Sequence, residues 1–275
     1  MHGNNSTSGI KARMPRTCGM RTLVDLVATS NMRQKLILIG CSWGCGEWLV
    51  DDNQVLNINH PGLSEYLAND YDVVNLSRSG ASNWQLCFSL RNYLTHVKTF
   101  DQFKIVLIQT DAARNKGTEK YHVDYVQVLQ ESTNLKNFYE RNLEIFYIKL
   151  NSLAQEFNTP IYLVGGLNDL AINILPLYNN LVPMCESWIG LMHAPHQPTV
   201  VPLLVHSFLY SFTKKHNRLD LMEQISQHSD ANFLRAQELM ETDWFGPSLG
   251  DFHPGRKAHE LLANHIREFF GKISQ

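Results

Sequence analysis

The sequence of 275 residues is poor in cysteine and contains no CxxC pair. An odd number of cysteines without paired spacing favours neither a disulfide framework nor a zinc site, and it predicts that the thiols are reduced. The five are Cys18, Cys41, Cys45, Cys87 and Cys185.

An excess of one charge is also lacking, because 24 basic side chains face 26 acidic ones for a net charge of -2. This balance gives no general electrostatic reason to bind nucleic acid or an anionic membrane. No apolar run approaches the roughly 20 residues that a membrane span requires. The best candidate, residues 200–212, is interrupted by Pro202 and His206. We therefore expect no nucleic-acid partner and no membrane span.

The first 31 residues are polar, and their one apolar patch, Leu23–Ala28, is split by Asp25. A secretory signal needs a continuous apolar core, which this segment does not supply. We expect a flexible leader over residues 1–31, a cytoplasmic location and a single α/β domain over residues 32–275.

Short apolar runs alternate with helical patterns from Lys35 onward. Runs typical of parallel strands begin at Lys35, Tyr71, Lys104 and Pro160, and the last helical pattern covers residues 256–272. Continuous apolar runs of this length are typical of strands covered on both faces. The expected fold class is therefore α/β, a three-layer sandwich with a mostly parallel sheet.

The segment 170–246 shows no comparable strand pattern. It contains five prolines, followed by helical periodicity from Leu203 onward. We expect a mostly helical insertion here, before the last block of the domain. The alternative is an ordinary crossover connection lengthened by loops.

The segment 40–46, GCSWGCG, places Ser42 at the carboxyl end of the first strand, where the chain must turn. Ligands of parallel α/β sheets bind at this edge. The glycines permit a tight turn, and the helix that follows would direct amide N–H groups toward an anion beside Ser42. This position suits a nucleophile, although a glycine-rich turn with a solvent-facing serine is the simpler alternative.

A serine nucleophile needs a base, and His253 lies in the segment 250–255, GDFHPG, just before the closing helix. A neutral imidazole can take the serine proton, and a carboxylate on its other ring nitrogen fixes the tautomer. The pair Ser42 and His253 is thus a candidate catalytic constellation.

These segments resemble the SGNH or GDSL-type hydrolase superfamily, whose fold is flavodoxin-like. Residues 40–46 resemble its first block, residues 73–82, VVNLSRSGAS, its second, and residues 253–263, HPGRKAHELLA, its last. The resemblance covers about residues 35–111 and 243–270. It implies Ser42 as nucleophile, His253 as base, and the backbone N–H groups of Ser42 and Gly80 in the oxyanion hole.

Three positions depart from the family pattern. Cys41 stands where the family has the aspartate of its GDS signature, and Asp111 stands at the oxyanion asparagine. The carboxylate expected three residues before the histidine is replaced by Gly250, so Asp251, two residues before it, is the expected orienter. Asp243, or a backbone carbonyl in a Ser-His dyad, is the alternative.

An ionised Asp111 cannot donate a hydrogen bond to an oxyanion. Either its carboxyl is protonated, or another side chain such as Gln109 or Asn83 donates, or the site is weak. The segment 165–169, GGLND, matches the family's asparagine block better than the segment around Asp111 does, but it lies one strand later in the chain. We therefore expect its Asn168 only in a pocket wall.

Other features suit simpler roles. His193 and His196 have a spacing that could bind a metal, but no carboxylate lies near them in sequence. The thiols of Cys41 and Cys45 are expected to be inert packing groups. Three tryptophans could line an acyl or sugar site, but side chains of this kind are more often core: Trp43, Trp48 and Trp84.

The function expected from the sequence is hydrolysis of a small-molecule, carbohydrate or lipid ester through an acyl-enzyme on Ser42, without metal or organic cofactor. The alternative is a binding or structural module that keeps the fold with a decayed site. A nucleotide-binding protein is a lesser hypothesis, because no GxxxxGK[ST] motif follows the first strand.

Overall fold

A parallel sheet of five strands, in the spatial order β4-β1-β5-β6-β7, forms the centre of the structure, and a separate antiparallel pair joins β2 to β3. The computed structural model describes residues 33–50, 56–97, 103–114, 119–192, 207–228 and 253–274. The predicted leader, residues 1–31, lies outside them. In chain order the elements are β1 (Lys35–Ile39), α1 (Ser42–Cys45), β2 (Glu47–Val50), β3 (Leu56–His60), α2 (Leu63–Leu67), β4 (Asp72–Asn75), α3 (Asn83–His96), β5 (Phe103–Gln109), α4 (Glu119–Glu131), α5 (Leu135–Glu156), β6 (Ile161–Gly165), a 3-10 turn (Leu175–Leu177), β7 (Leu181–Cys185), α6 (Trp188–Met192), α7 (Ser207–Lys215), α8 (219–228) and α9 (Arg256–Ile273).

Alternate side chains of β1, β5 and β6 enter two separate hydrophobic clusters. Leu36 and Leu38 of β1 pack with α2, α6 and α9, whereas Ile37 and Ile39 pack with α3 and α5. Because successive strand residues point to opposite faces, a strand covered on both faces must be apolar throughout. The predicted class, an α/β sandwich with helices on both faces of a mostly parallel sheet, is confirmed.

A third cluster joins α4 and the first half of α5 to α7 and α8. Phe138 and Phe212 both stack edge-on against Tyr125, with ring centroids 5.3 Å and 5.0 Å apart. Two of the four helices come from the predicted insertion, and they are thereby fixed to the helical layer that follows β5.

The segment 170–246, where the sequence showed no comparable strand pattern, contains the strand β7. Strand β7 pairs in parallel with β6 and carries Pro183 opposite Leu163. Proline has no N–H for a ladder and is confined to edge strands or irregular positions. β7 is an edge strand, and its register shifts next to this pair, so proline is accommodated where the sequence pattern argued against a strand.

Within the described ranges, no helix is both long and apolar enough to cross a membrane.

Candidate active site

The parallel strands β1, β4, β5 and β6 are neighbours, so their carboxyl ends share one edge of the sheet. Ser42, Gly80 and Asp111 follow β1, β4 and β5 in turn, and Asn168 follows β6. The structure therefore brings the predicted nucleophile and both other predicted oxyanion residues to the edge where α/β proteins bind ligands.

Ser42 is the first residue of the short helix α1, directly after the extended Cys41. The turn into it is tight, because a Cβ on Gly40 would lie 3.1 Å from Cβ of Ile108 in the neighbouring strand. The serine is 6% exposed, and its hydroxyl makes no hydrogen bond to any residue that the structure describes. Ser42 is thus a buried residue whose hydroxyl has no proton acceptor among the described residues.

The first and second blocks touch at Gly44. A Cβ there would lie 2.4 Å from Oγ of Ser77, so only glycine permits this approach. Asn75, the last residue of β4, completes the contact by donating from Nδ2 to the Gly44 carbonyl at 2.8 Å and accepting from Ser77 N–H at 2.9 Å. Asn75 belongs to the second block, but no pattern in the sequence predicts this role.

Gly80 has a φ of +69°, a conformation that favours glycine. The turn that contains it is closed by a hydrogen bond from Ala81 N–H to the Arg78 carbonyl. Among the described residues, nothing accepts a hydrogen bond from the amide of Gly80. This N–H is available to a ligand, as an oxyanion donor must be.

Trp48 contacts the predicted nucleophile and the predicted base. Its Nε1 donates to the Ser42 carbonyl at 2.8 Å, and its ring centroid lies 5.2 Å from that of His253, with 34° between the planes. No hydrogen bond joins the Ser42 hydroxyl to His253 in the described part of the chain. Both residues therefore contact one tryptophan, for which the sequence left open a place in an acyl or sugar site or, more often for such residues, in the core.

The predicted orienter Asp251 lies outside the described residues, as do Asp243 and Gly250. His253 itself is partly buried. The assignment of a carboxylate to its second ring nitrogen therefore stays a prediction from the sequence.

Asp111 is fully buried, and its Oδ1 accepts a hydrogen bond from Ala113 N–H at 2.8 Å. Burial raises the pKa of this carboxyl to about 6, although the Ala113 hydrogen bond and the nearby Arg114 oppose the shift. Asp111 thus titrates near neutral pH. In its protonated form it could donate a hydrogen bond, which the ionised form cannot do.

Gln109 and Asn83, the alternative donors, are both engaged in the structure. Gln109 Nε2 donates to the Asp169 carbonyl at 3.1 Å, and its Oε1 accepts from the Tyr147 hydroxyl at 2.7 Å. Asn83 makes two bonds to the backbone of Thr110, at 3.1 Å and 3.0 Å. Both side chains thereby fix the residues at the carboxyl end of β5.

Ser82 and Gln85 form a capping box, a sequence signal that could have placed Asn83 in the first turn of α3.

Asn168 also positions the loop that follows β5. Its Oδ1 accepts a hydrogen bond of 2.6 Å from Ala112 N–H, next to Asp111, and its side chain is fully buried. Asn168 therefore lies beside the Asp111 loop. The role in a pocket wall stays a prediction.

The remaining candidates take simpler places. Trp43 is buried against Trp188, at 5.7 Å, and Lys149 lies 4.3 Å above the Trp84 ring. Burial, with a smaller contribution from Cys41, raises the pKa of the Cys45 thiol to about 12. Across the described ranges, no group of three potential ligand side chains could hold a metal ion. His193 and His196 lie outside those ranges.

Several solved structures are similar to this chain, and two of them are described here. No family model and no curated protein sequence matches the chain. The structure named TesA is 16% identical with a TM-score of 0.36, covering 86% of this chain and 97% of its own. A member of the lipolytic protein G-D-S-L family from Veillonella parvula DSM 2008 is 13% identical with a TM-score of 0.37, covering 86% of this chain and 98% of its own.

Proposed function

We propose that this chain is a serine ester hydrolase that forms an acyl-enzyme on Ser42, with His253 as general base and then general acid. The observation that carries the proposal is the double contact of Trp48, which hydrogen bonds to Ser42 and lies against His253. Two residues that are far apart in the sequence thus contact the same tryptophan, which supports the proposal.

In the proposed reaction, Ser42 Oγ attacks the ester carbonyl carbon while His253 takes the hydroxyl proton. The carbonyl oxygen becomes an oxyanion that the N–H groups of Ser42 and Gly80 stabilise. When the tetrahedral intermediate collapses, the alkoxide leaves with the proton from His253. Water then attacks the acyl carbon, His253 takes a water proton, and the acid is released as Ser42 regains its hydrogen.

Asp251 is proposed to orient His253, and Asp111 to be the third group facing the oxyanion. No metal or organic cofactor is needed for these steps. The substrate class is a small-molecule, carbohydrate or lipid ester.

The first test is hydrolysis of short p-nitrophenyl esters by wild type and Ser42→Ala. Loss of a serine nucleophile lowers kcat on the order of 10³-fold or more. Ser152→Ala, which removes an exposed serine of α5, is the matched control and leaves the rate unchanged. An undiminished rate in Ser42→Ala would remove Ser42 from the mechanism.

A binding module with a decayed site is the second candidate. It is favoured by the acidic Asp111 at an oxyanion position and by the absence of a hydrogen bond from Ser42 Oγ within the described chain. This candidate predicts that wild type hydrolyses none of the esters above background.

A further inference from the structure

His259 is a fully buried histidine in the first turn of α9. Its Nδ1 accepts a hydrogen bond of 3.2 Å from the N–H of Leu63, the first residue of α2. An imidazole nitrogen that accepts carries no proton, so the ring hydrogen is on Nε2 and the side chain is neutral. Burial agrees with this assignment, because it lowers the pKa of His259 to about 3.

The residues around the His259 ring belong to the two segments that contain Ser42 and His253. The backbone groups of Gly46 and Pro254 oppose the lowering of its pKa, although Nε2 has no hydrogen-bond partner among the described residues. Gly46 directly follows α1, which begins at Ser42, and Pro254 directly follows His253.

Close packing at Gly62 fixes the ring from another side. Gly62 has a φ of +55°, and a Cβ there would lie 2.8 Å from His259 Nδ1 and 3.0 Å from Gly46 Cα. The Trp188 ring is nearly perpendicular to the His259 ring, with the centroids 5.2 Å apart. The imidazole therefore packs closely against Gly62 and Trp188, and Gly62 in turn packs against Gly46.

We propose that His259 is a positioning residue for the reaction of Ser42 and His253. It acts by fixing Gly46 and Pro254, and through them the Trp48 and His253 side chains, in one arrangement. This proposal rests on the proposed function, because the packing of His259 can change the rate of ester hydrolysis only if Ser42 and His253 carry out that reaction.

The test compares His259→Leu, which removes both ring nitrogens, with His259→Asn, whose Oδ1 can accept from Leu63 N–H. We expect His259→Leu to lower kcat by about 10- to 100-fold with little change in KM, because small displacements of reacting groups have effects of this size. His259→Asn restores most of the loss.

The matched control is His265→Leu in the same helix, where Nε2 bonds to the Met184 carbonyl at 2.8 Å. It removes a similar contact away from Gly46 and leaves kcat unchanged. All variants are assayed at a temperature at which circular dichroism shows them folded. An unchanged kcat in folded His259→Leu, or no gain from His259→Asn, would overturn the proposal.

Hydrogen exchange measured by mass spectrometry separates this proposal from the proposed function. We expect His259→Leu, but not His265→Leu, to speed exchange in both segments 42–50 and 253–260. If wild type hydrolyses no ester, the proposed function fails and exchange alone decides. Equal exchange in wild type and His259→Leu then contradicts the positioning role, and faster exchange in both segments supports it.

Discussion

The indole Nε1 of Trp48 donates a hydrogen bond of 2.8 Å to the backbone carbonyl of Ser42. The same ring lies against His253, so one side chain contacts both the proposed nucleophile and the proposed base. A substitution at Trp48 can therefore separate the polar link to Ser42 from the ring contact with His253.

Trp48→Phe keeps an aromatic ring and removes the N–H donor. We expect kcat/KM to fall by about 2- to 12-fold, the equivalent of a net hydrogen bond of about 0.5–1.5 kcal/mol. Trp48→Ala, which also removes the ring from His253, gives a larger loss. Trp84→Phe serves as the control. Trp84 belongs to α3, and its ring contacts Lys149 of α5. Equal rates in wild type and Trp48→Ala would contradict the role of this side chain.

Asp111→Asn tests the buried carboxyl through stability. The pKa of Asp111 in the folded protein is about 6, above its ordinary value of 3.8. The folded state therefore binds the Asp111 proton more tightly than the unfolded state does, and the stability that this proton contributes is lost as pH rises through 6. A shift of this size corresponds to about 3 kcal/mol. We expect urea unfolding to show Asp111→Asn more stable than wild type by up to this amount at pH 8, with little difference at pH 4.

The same variant supplies an amide donor where the proposed oxyanion forms. Because a missing oxyanion donor lowers kcat by about 10²- to 10³-fold, we expect Asp111→Asn to raise kcat at pH 8. Asp72→Asn, at an exposed carboxylate, is the control and leaves the rate unchanged. A stabilised Asp111→Asn with an unchanged kcat would show that this side chain does not face the reacting ester.

Gly44 and Ser77 form a pair that a double-mutant cycle can test. Gly44→Ala places a Cβ 2.4 Å from Ser77 Oγ, so we expect a loss of stability and of ester hydrolysis. Ser77→Ala alone is close to neutral, because among the described residues its buried hydroxyl has no hydrogen-bond partner. The double variant recovers part of the Gly44→Ala loss. Additive effects of the two substitutions would contradict the close approach.

Cys45 distinguishes a serine mechanism from a thiol one. Its thiol pKa is raised to about 12, so the reactive thiolate is scarce at neutral pH. We expect Cys45→Ser to keep the wild-type kcat, and iodoacetamide at pH 7.5 to leave hydrolysis intact. Inactivation by iodoacetamide that is lost in Cys45→Ser would assign the chemistry to the thiol.

The buried strands could be predicted because a strand covered on both faces must be apolar at every position. Residues 36–39 of β1 and 105–108 of β5 meet that condition, and the ends of these strands in turn predicted the places of Ser42 and Asp111. β7 did not meet this condition, because it contains Pro183. Proline is tolerated in an edge strand, but the sequence alone does not show which strand lies at the edge of the sheet.

The contacts that fix the site could not be predicted because they join distant parts of the chain. His259 and Leu63 are separated by 196 positions, and no periodicity relates them. Trp48 is an aromatic residue near the first block, but its ring contact with His253 joins residues that are far apart in the sequence.

Covalent labelling with a fluorophosphonate probe, followed by mass spectrometry of the peptides, tests the central claim most directly. We expect a single adduct on Ser42 in wild type, slowed in His253→Ala and absent from Ser42→Ala. An adduct on another residue, or no adduct in folded wild-type protein, would contradict the assignment of Ser42 as the nucleophile.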